Sequence, residues 1–329
     1  MRNTKLWMNI LWVLVAVYGV ATFANTVFSL SIPIAPLLFV SVAFSLIHGA
    51  IRYRWSGIGT FIVICLVVSN ILENTSILTG FPFGHYHYTS ALGPKLFLVP
   101  LLIGPAYIAT GYLAWALSNV LVGDVRRESS ALTTFAVPFV ASFLMVMWDL
   151  CLDPGASTVR HIWIWEQGGG YFGVPLTNYL GWFFTVYLFL QLFALFLRFR
   201  KAGPEVTWPR SYYAQAVAMY AVIGLTFVLD YMVAGRNSLV TDAAGVVWQT
   251  RSIAEAAATV SIFTMIFVAA LSAVKLLQGS ADVPRTLVDA RTDGSATTDT
   301  FVPIARLQQG AGAANDRLSS GQNQKGLRR

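Results

Sequence analysis

Seven carboxylates stand out by position: Glu73, Asp149, Asp153, Glu166, Asp230, Asp242 and Glu255 all fall toward the same ends of long apolar runs. Glu73 and Asp149 each close such a run, Asp230 lies about a turn inside one exit, and Glu255 about a turn inside an entry. Carboxylates placed so close to hydrocarbon cost about 2.5 to 3.5 kcal/mol on insertion scales, so they usually face a bundle interior and mark function. The bland alternative is a helix end reaching headgroups and water. For Asp230 and Glu255, ion pairs with Arg236 and Arg251 are a further structural use.

Asp149 and Asp153 are four apart, so a helix persisting through Leu152 would set them on one face. Pro154 is expected to stop that helix. Their spacing loosely resembles metal-pyrophosphate clusters, but Arg160 is the lone nearby cation, which argues against diphosphate chemistry. Before them, Gly80-Phe81-Pro82-Phe83-Gly84-His85-Tyr86-His87-Tyr88 presents two imidazoles two residues apart. An extended strand could offer both to a metal, yet no thiol or acid is nearby, and a polar hydrogen-bonding role suits them better. After them come Trp163-Ile164-Trp165, Tyr171, Asn178 and Trp182. Aromatic side chains give a carbocation electron-rich faces without a competing nucleophile, although an interfacial aromatic girdle uses the same residues. Gly168 to Gly170 lacks the Lys and Ser/Thr of a phosphate loop.

The elements that must carry these groups are membrane helices. Of 329 residues, 56% are hydrophobic and only 11% charged, against roughly 25% charged in a soluble domain. Mean hydropathy is +0.62. Apolar runs near 6–24, 31–48, 57–73, 96–121, 131–149, 181–197, 212–234 and 252–277 predict an all-α, polytopic bundle of about eight transmembrane helices occupying residues 1–278. Residues 279–329 are polar and nearly free of aromatics, and are expected to be a disordered cytoplasmic tail. The two cysteines, Cys65 and Cys151, cannot build a disulfide framework or a thiolate metal site.

The formal charge of +7 reads as membrane orientation and not as nucleic-acid binding. Arg2, Lys5, Arg52, Arg54, Arg126, Arg127, Arg198, Arg200, Lys201 and Arg210 fall on one side of an eight-span chain. Lys95, Arg160, Arg236 and Arg251 fall on the other. That 10-to-4 split predicts a cell-membrane protein with both termini cytoplasmic.

One combination of motifs is specific. Glu73-Asn74, Gly80-Phe81-Pro82-Phe83-Gly84-His85-Tyr86, Leu98-Val99-Pro100, Asp149-x-x-x-Asp153-Pro154, Trp163-x-Trp165 and Tyr171-x-Gly173-Val174-Pro175-x-x-Asn178-x-x-Gly181-Trp182 resembles the carotenoid biosynthesis membrane-protein family. That family contains the CruF-type carotenoid 1,2-hydratases and the bisanhydrobacterioruberin hydratases. The likeness runs from about residue 57 to 200. It implies a hydro-lyase that adds water, without a cofactor, across the terminal C=C of an acyclic carotenoid end.

No catalytic assignment comes with the resemblance, so roles follow from the chemistry. Hydrating such an alkene needs a strong acid, shelter for a tertiary cation and a held water. A carboxyl group kept from water resists ionisation and stays a proton donor near neutral pH. Asp149 is the expected acid, Asp153 its partner or the base that positions water, and Glu73 and His85 are next in line. Tyr86, His87, Trp163, Trp165, Tyr171, Asn178, Trp182, Asp230 and Glu255 are the expected substrate-binding residues. The expected partners are a lipid-soluble polyene, entering sideways from the bilayer, and membrane lipids. A terpenoid cyclase or isomerase using the same protonation, and a non-enzymatic transporter, are the competing readings.

Overall fold

The computed structural model describes residues 4–30, 33–127, 129–200, 208–235 and 237–278. The expected tail from 279 and Arg236 lie outside the described residues. Seven helices make up the described chain: α1 (Thr4–Phe28), α2 (Ile34–Thr79), α3 (Ile103–Val122), α4 (Ala131–Val159), α5 (Leu176–Phe199), α6 (Arg210–Val233) and α7 (Thr250–Gln278). All but α3 are long and apolar enough to cross a membrane. The bundle is an all-α membrane fold, and α3 is its most enclosed helix, buried without a break from Tyr107 to Trp115.

Seven helices stand where eight were expected, because the second and third runs are one segment. Helix α2 breaks at a single residue, Arg54, whose φ of 61° and ψ of 166° are not helical. The two arms then run in opposite directions along α3. In the first arm Ser45 meets Ala109 and Gly49 meets Tyr112, whereas in the second Phe61 meets Tyr112 and Leu66 meets Gly104. A methyl at Gly49 would lie 2.5 Å from Ile58 Cδ1, although nine residues along a straight helix would separate them by ~13.5 Å. The break frees backbone acceptors, and Arg200 covers one of them, donating to the Tyr53 carbonyl at 2.9 Å, while it also donates to the Ser56 hydroxyl at 3.0 Å. Arg52 pairs with Asp124 at 2.6 Å beside it, so the basic end of the bundle is cross-braced.

Proline shapes α4. Pro138 has no N–H for the Thr134 carbonyl, which instead accepts from Gln191 of α5 at 3.4 Å. Pro154 was expected to end the helix. Instead the chain continues through a wide π turn, Gly155–Val159, which accommodates the missing donor. The Leu150 carbonyl that Pro154 leaves free accepts from Tyr171 Oη at 3.4 Å. The outward stripe Leu132, Phe135, Phe139 and Phe143 is exposed, while Val137, Ala141, Leu144 and Met145 face the core, as a lipid-facing helix requires.

Three short antiparallel ribbons cap the end opposite the arginines. Strands β1 (Tyr86–Tyr88) and β4 (Trp163–Trp165) pair with Tyr86 opposite Trp165 and Tyr88 opposite Trp163. Strands β2 (Lys95–Leu96) and β3 (Val99–Pro100) form a hairpin in a stretch expected to be helical, where Pro94 and Pro100 cannot supply helical donors. Strands β5 (Leu239–Thr241) and β6 (Val247–Gln249) lead into α7.

Candidate functional site: a carboxylate-lined cavity

Because α4 persists past Leu152, Asp149 and Asp153 project one turn apart from one face, and both are buried, each with 1% of its surface exposed. The first turn of α5 supplies Asn178 between them. Its Nδ2 donates to Asp149 Oδ2 at 2.9 Å and to Asp153 Oδ2 at 2.7 Å. Asp153 receives two further donors, Trp163 Nε1 at 2.7 Å and Trp165 Nε1 at 3.4 Å, both on its Oδ1. Among the described residues Asn178 is the one hydrogen-bond partner of the Asp149 carboxyl.

Strand alternation decides which loop residues enter this site. In β1, Tyr86 and Tyr88 point inward and are buried, and His87 points outward. Both phenols donate to Glu73 Oε2, Tyr88 at 2.9 Å, and Tyr107 of α3 donates to Oε1 at 2.8 Å. Burial, reinforced by the negative charge of Glu73, pushes the Tyr86 and Tyr88 hydroxyls well above the usual phenol range, so they remain donors. Lys95 Nζ anchors the strand through the Tyr88 carbonyl at 2.7 Å. Across the ribbon, the rings of Tyr86 and Trp165 lie 4.8 Å apart, joining the Glu73 cluster to the aspartate pair.

These groups line a cavity of about 640 Å³. Its wall includes Glu73, Tyr86, Asp149, Asp153, Trp163, Trp165, Asn178, Trp182 and, further along, Asp230. Trp182 stacks on Tyr107 at 4.5 Å and meets Trp148 edge-on at 6.1 Å, forming an aromatic shelf. Four other expected residues lie away from the wall. His85 is exposed against Gly80, His87 is exposed with its Nδ1 3.4 Å from Glu166 Oε1, Tyr171 caps the Leu150 carbonyl, and Glu255 is exposed on α7. Glu255 makes no ion pair with Arg251, whose guanidinium sits over the Tyr231 ring at 5.2 Å. Asp230 accepts from Thr26 at 2.9 Å. Among the described residues no three His, Cys, Asp or Glu side chains group as metal ligands.

Sequence reasoning missed Tyr88, Tyr107 and Trp148. The period of two in His-Tyr-His-Tyr carried the signal for Tyr88, since Tyr86 and Tyr88 must share a face once the segment is a strand. A phenol inside an apolar helix was the only hint of Tyr107.

A polytopic helical membrane protein with acids and aromatic rings around an apolar cavity is the class that this architecture defines. The chain belongs to the carotenoid biosynthesis protein family, whose model matches residues 34–241, a longer reach than the motifs alone suggested. It is 30% identical over 140 residues to the bisanhydrobacterioruberin hydratase of Haloarcula japonica, a match covering 41% of this chain and 44% of that protein. The chain thus spans less than half the length of the curated relative it matches. No solved structure matches the chain.

Proposed function

We propose that this protein is a cofactor-independent carotenoid hydratase, adding water across the terminal C=C of an acyclic carotenoid end group. The observation that carries the reading is the Asn178-bridged pair of Asp149 and Asp153 in the wall of an aromatic cavity. The hydratase name of the Haloarcula relative points the same way.

The two aspartates differ in what surrounds them. Three N–H groups converge on Asp153, which suits a carboxylate, whereas Asp149 has one and keeps an oxygen free to hold the proton. Asp149 protonates the less substituted alkene carbon, the π bond opens, and the positive charge falls on the tertiary carbon. The rings of Trp163, Trp165 and Trp182 face that charge. Water held by Asp153 forms the new C–O bond and gives its proton to the Asp153 carboxylate, and passage of that proton to Asp149 restores the pair. Glu73, ringed by three phenols, fixes the ribbon in place.

Expression in a pigment-producing host that lacks this step tests the reading. A product heavier than its precursor by one water is expected, while a product of unchanged mass would indicate cyclisation or isomerisation. Purified protein should keep its turnover after chelator treatment. Loss restored by one metal would overturn cofactor independence.

A further inference from the structure

Hydration sets two opposed demands on this cavity, since the cation must be kept dry while one water must reach Asp153. Aromatic side chains cover the carboxylates on the side of the paired loops. Trp163 and Trp165 lie over Asp153, and the ribbon puts Tyr86, Tyr88 and Trp165 against the carboxylates, all three buried. A second polar region lines the same cavity where four element ends meet: Thr26 near the end of α1, Arg160 after the π turn, Asp230 near the end of α6, and Thr250 at the start of α7. Asp230 and Arg160 are exposed there, and β5 packs against the π turn that precedes Arg160.

In a largely apolar wall, exposed polar side chains are the places where water is held. Thr26 donates to one oxygen of Asp230, Oδ1, at 2.9 Å. Arg160 lines the same stretch of wall and forms no direct ion pair with Asp230. Exposed polar groups on one cavity wall, among them a cationic donor and a carboxylate acceptor, can hold water between them. Resting on the hydratase reading, we infer that Thr26, Asp230 and Arg160 form the port through which water enters the cavity.

Product partition tests this without relying on total activity. The tertiary cation has two fates. It gains water, giving the alcohol and one proton to Asp153, or it loses a proton from an adjacent methyl, giving the double-bond isomer. Making the port apolar, by Asp230→Leu or separately by Thr26→Val, should raise the isomer-to-alcohol ratio about tenfold, a shift resolvable by product analysis. Asp230→Asn, which keeps a polar contact for water, should hold the ratio near that of the unaltered protein. Two apolar variants guard against one of them failing to fold. An unchanged ratio in both, or an Asp230→Asn variant as shifted as Asp230→Leu, would overturn the port. Absence of any alcohol from the unaltered protein would instead sink the hydratase reading itself.

Discussion

Asp149 and Asp153 stand one helical turn apart on α4 and accept hydrogen bonds from the same amide nitrogen, Asn178 Nδ2, at 2.9 and 2.7 Å. Two buried acids thereby share one neutral donor, with no cation among the described residues paired to either. Such an arrangement holds one proton between them more readily than none, because adjacent carboxylates repel when both ionise. A unit that both gives and takes a proton is what hydration requires.

Asn178→Leu should therefore damage the site twice. The two carboxyl groups lose their common donor, a loss of about 1 to 3 kcal/mol for buried groups left unpaired, and their relative position is released. Thermal unfolding in detergent should shift down, and turnover should fall by about tenfold or more, beyond what lost folded protein explains.

Docking of the ribbon depends on Gly181. A methyl there would lie 2.6 Å from Phe83 Cδ1 and 2.8 Å from both Phe83 Cα and the Pro82 carbonyl, so backbone must move. Gly181→Ala should cost about 1 to 3 kcal/mol and lower turnover by displacing β1 from Glu73. At Gly59 nothing lies within 4 Å, and Gly59→Ala should leave both stability and activity intact.

Much of this was legible in the residues, and the failures have identifiable causes. The i, i+4 placement of Asp149 and Asp153 follows from helical periodicity alone, and the apolar runs marked where each helix lies, although α3 starts seven residues later than its run and α4 continues ten residues beyond its own. What was not legible is non-local. Pairing of β1 with β4 joins segments some 75 residues apart, and it is this pairing that turns Tyr88 inward and leaves His87 with Glu166. Pro154 looked like a stop because the π turn that absorbs it is stabilised by tertiary partners, Tyr171 among them. Arg54 looked like part of a loop because nothing local marks a helix that reverses at a single residue.

On the positive-inside rule, we propose that the arginine end braced through Arg52, Asp124 and Arg200 faces the cytoplasm. Ser90→Cys and Gln167→Cys place thiols at exposed positions near the two paired strands. With Cys65 and Cys151 replaced, both should react with an impermeant reagent added outside intact cells. Reaction only after permeabilisation would reverse the orientation, and reaction of one alone would contradict the pairing of the loops.

The most direct test of the central claim is single-site turnover of Asp149→Asn, measured alongside polyene binding. Asparagine keeps the size of the side chain and removes the acid, so the loss should fall on kcat while binding persists. General acid catalysis contributes about 10²- to 10⁴-fold, and a loss of at least that order is expected. Asp153→Asn should also lower kcat, because the amide cannot accept the proton of the attacking water, and Asp149→Glu should recover part of the rate. Normal turnover by Asp149→Asn, with Glu73→Gln inactive, would contradict the account and move the acid to Glu73.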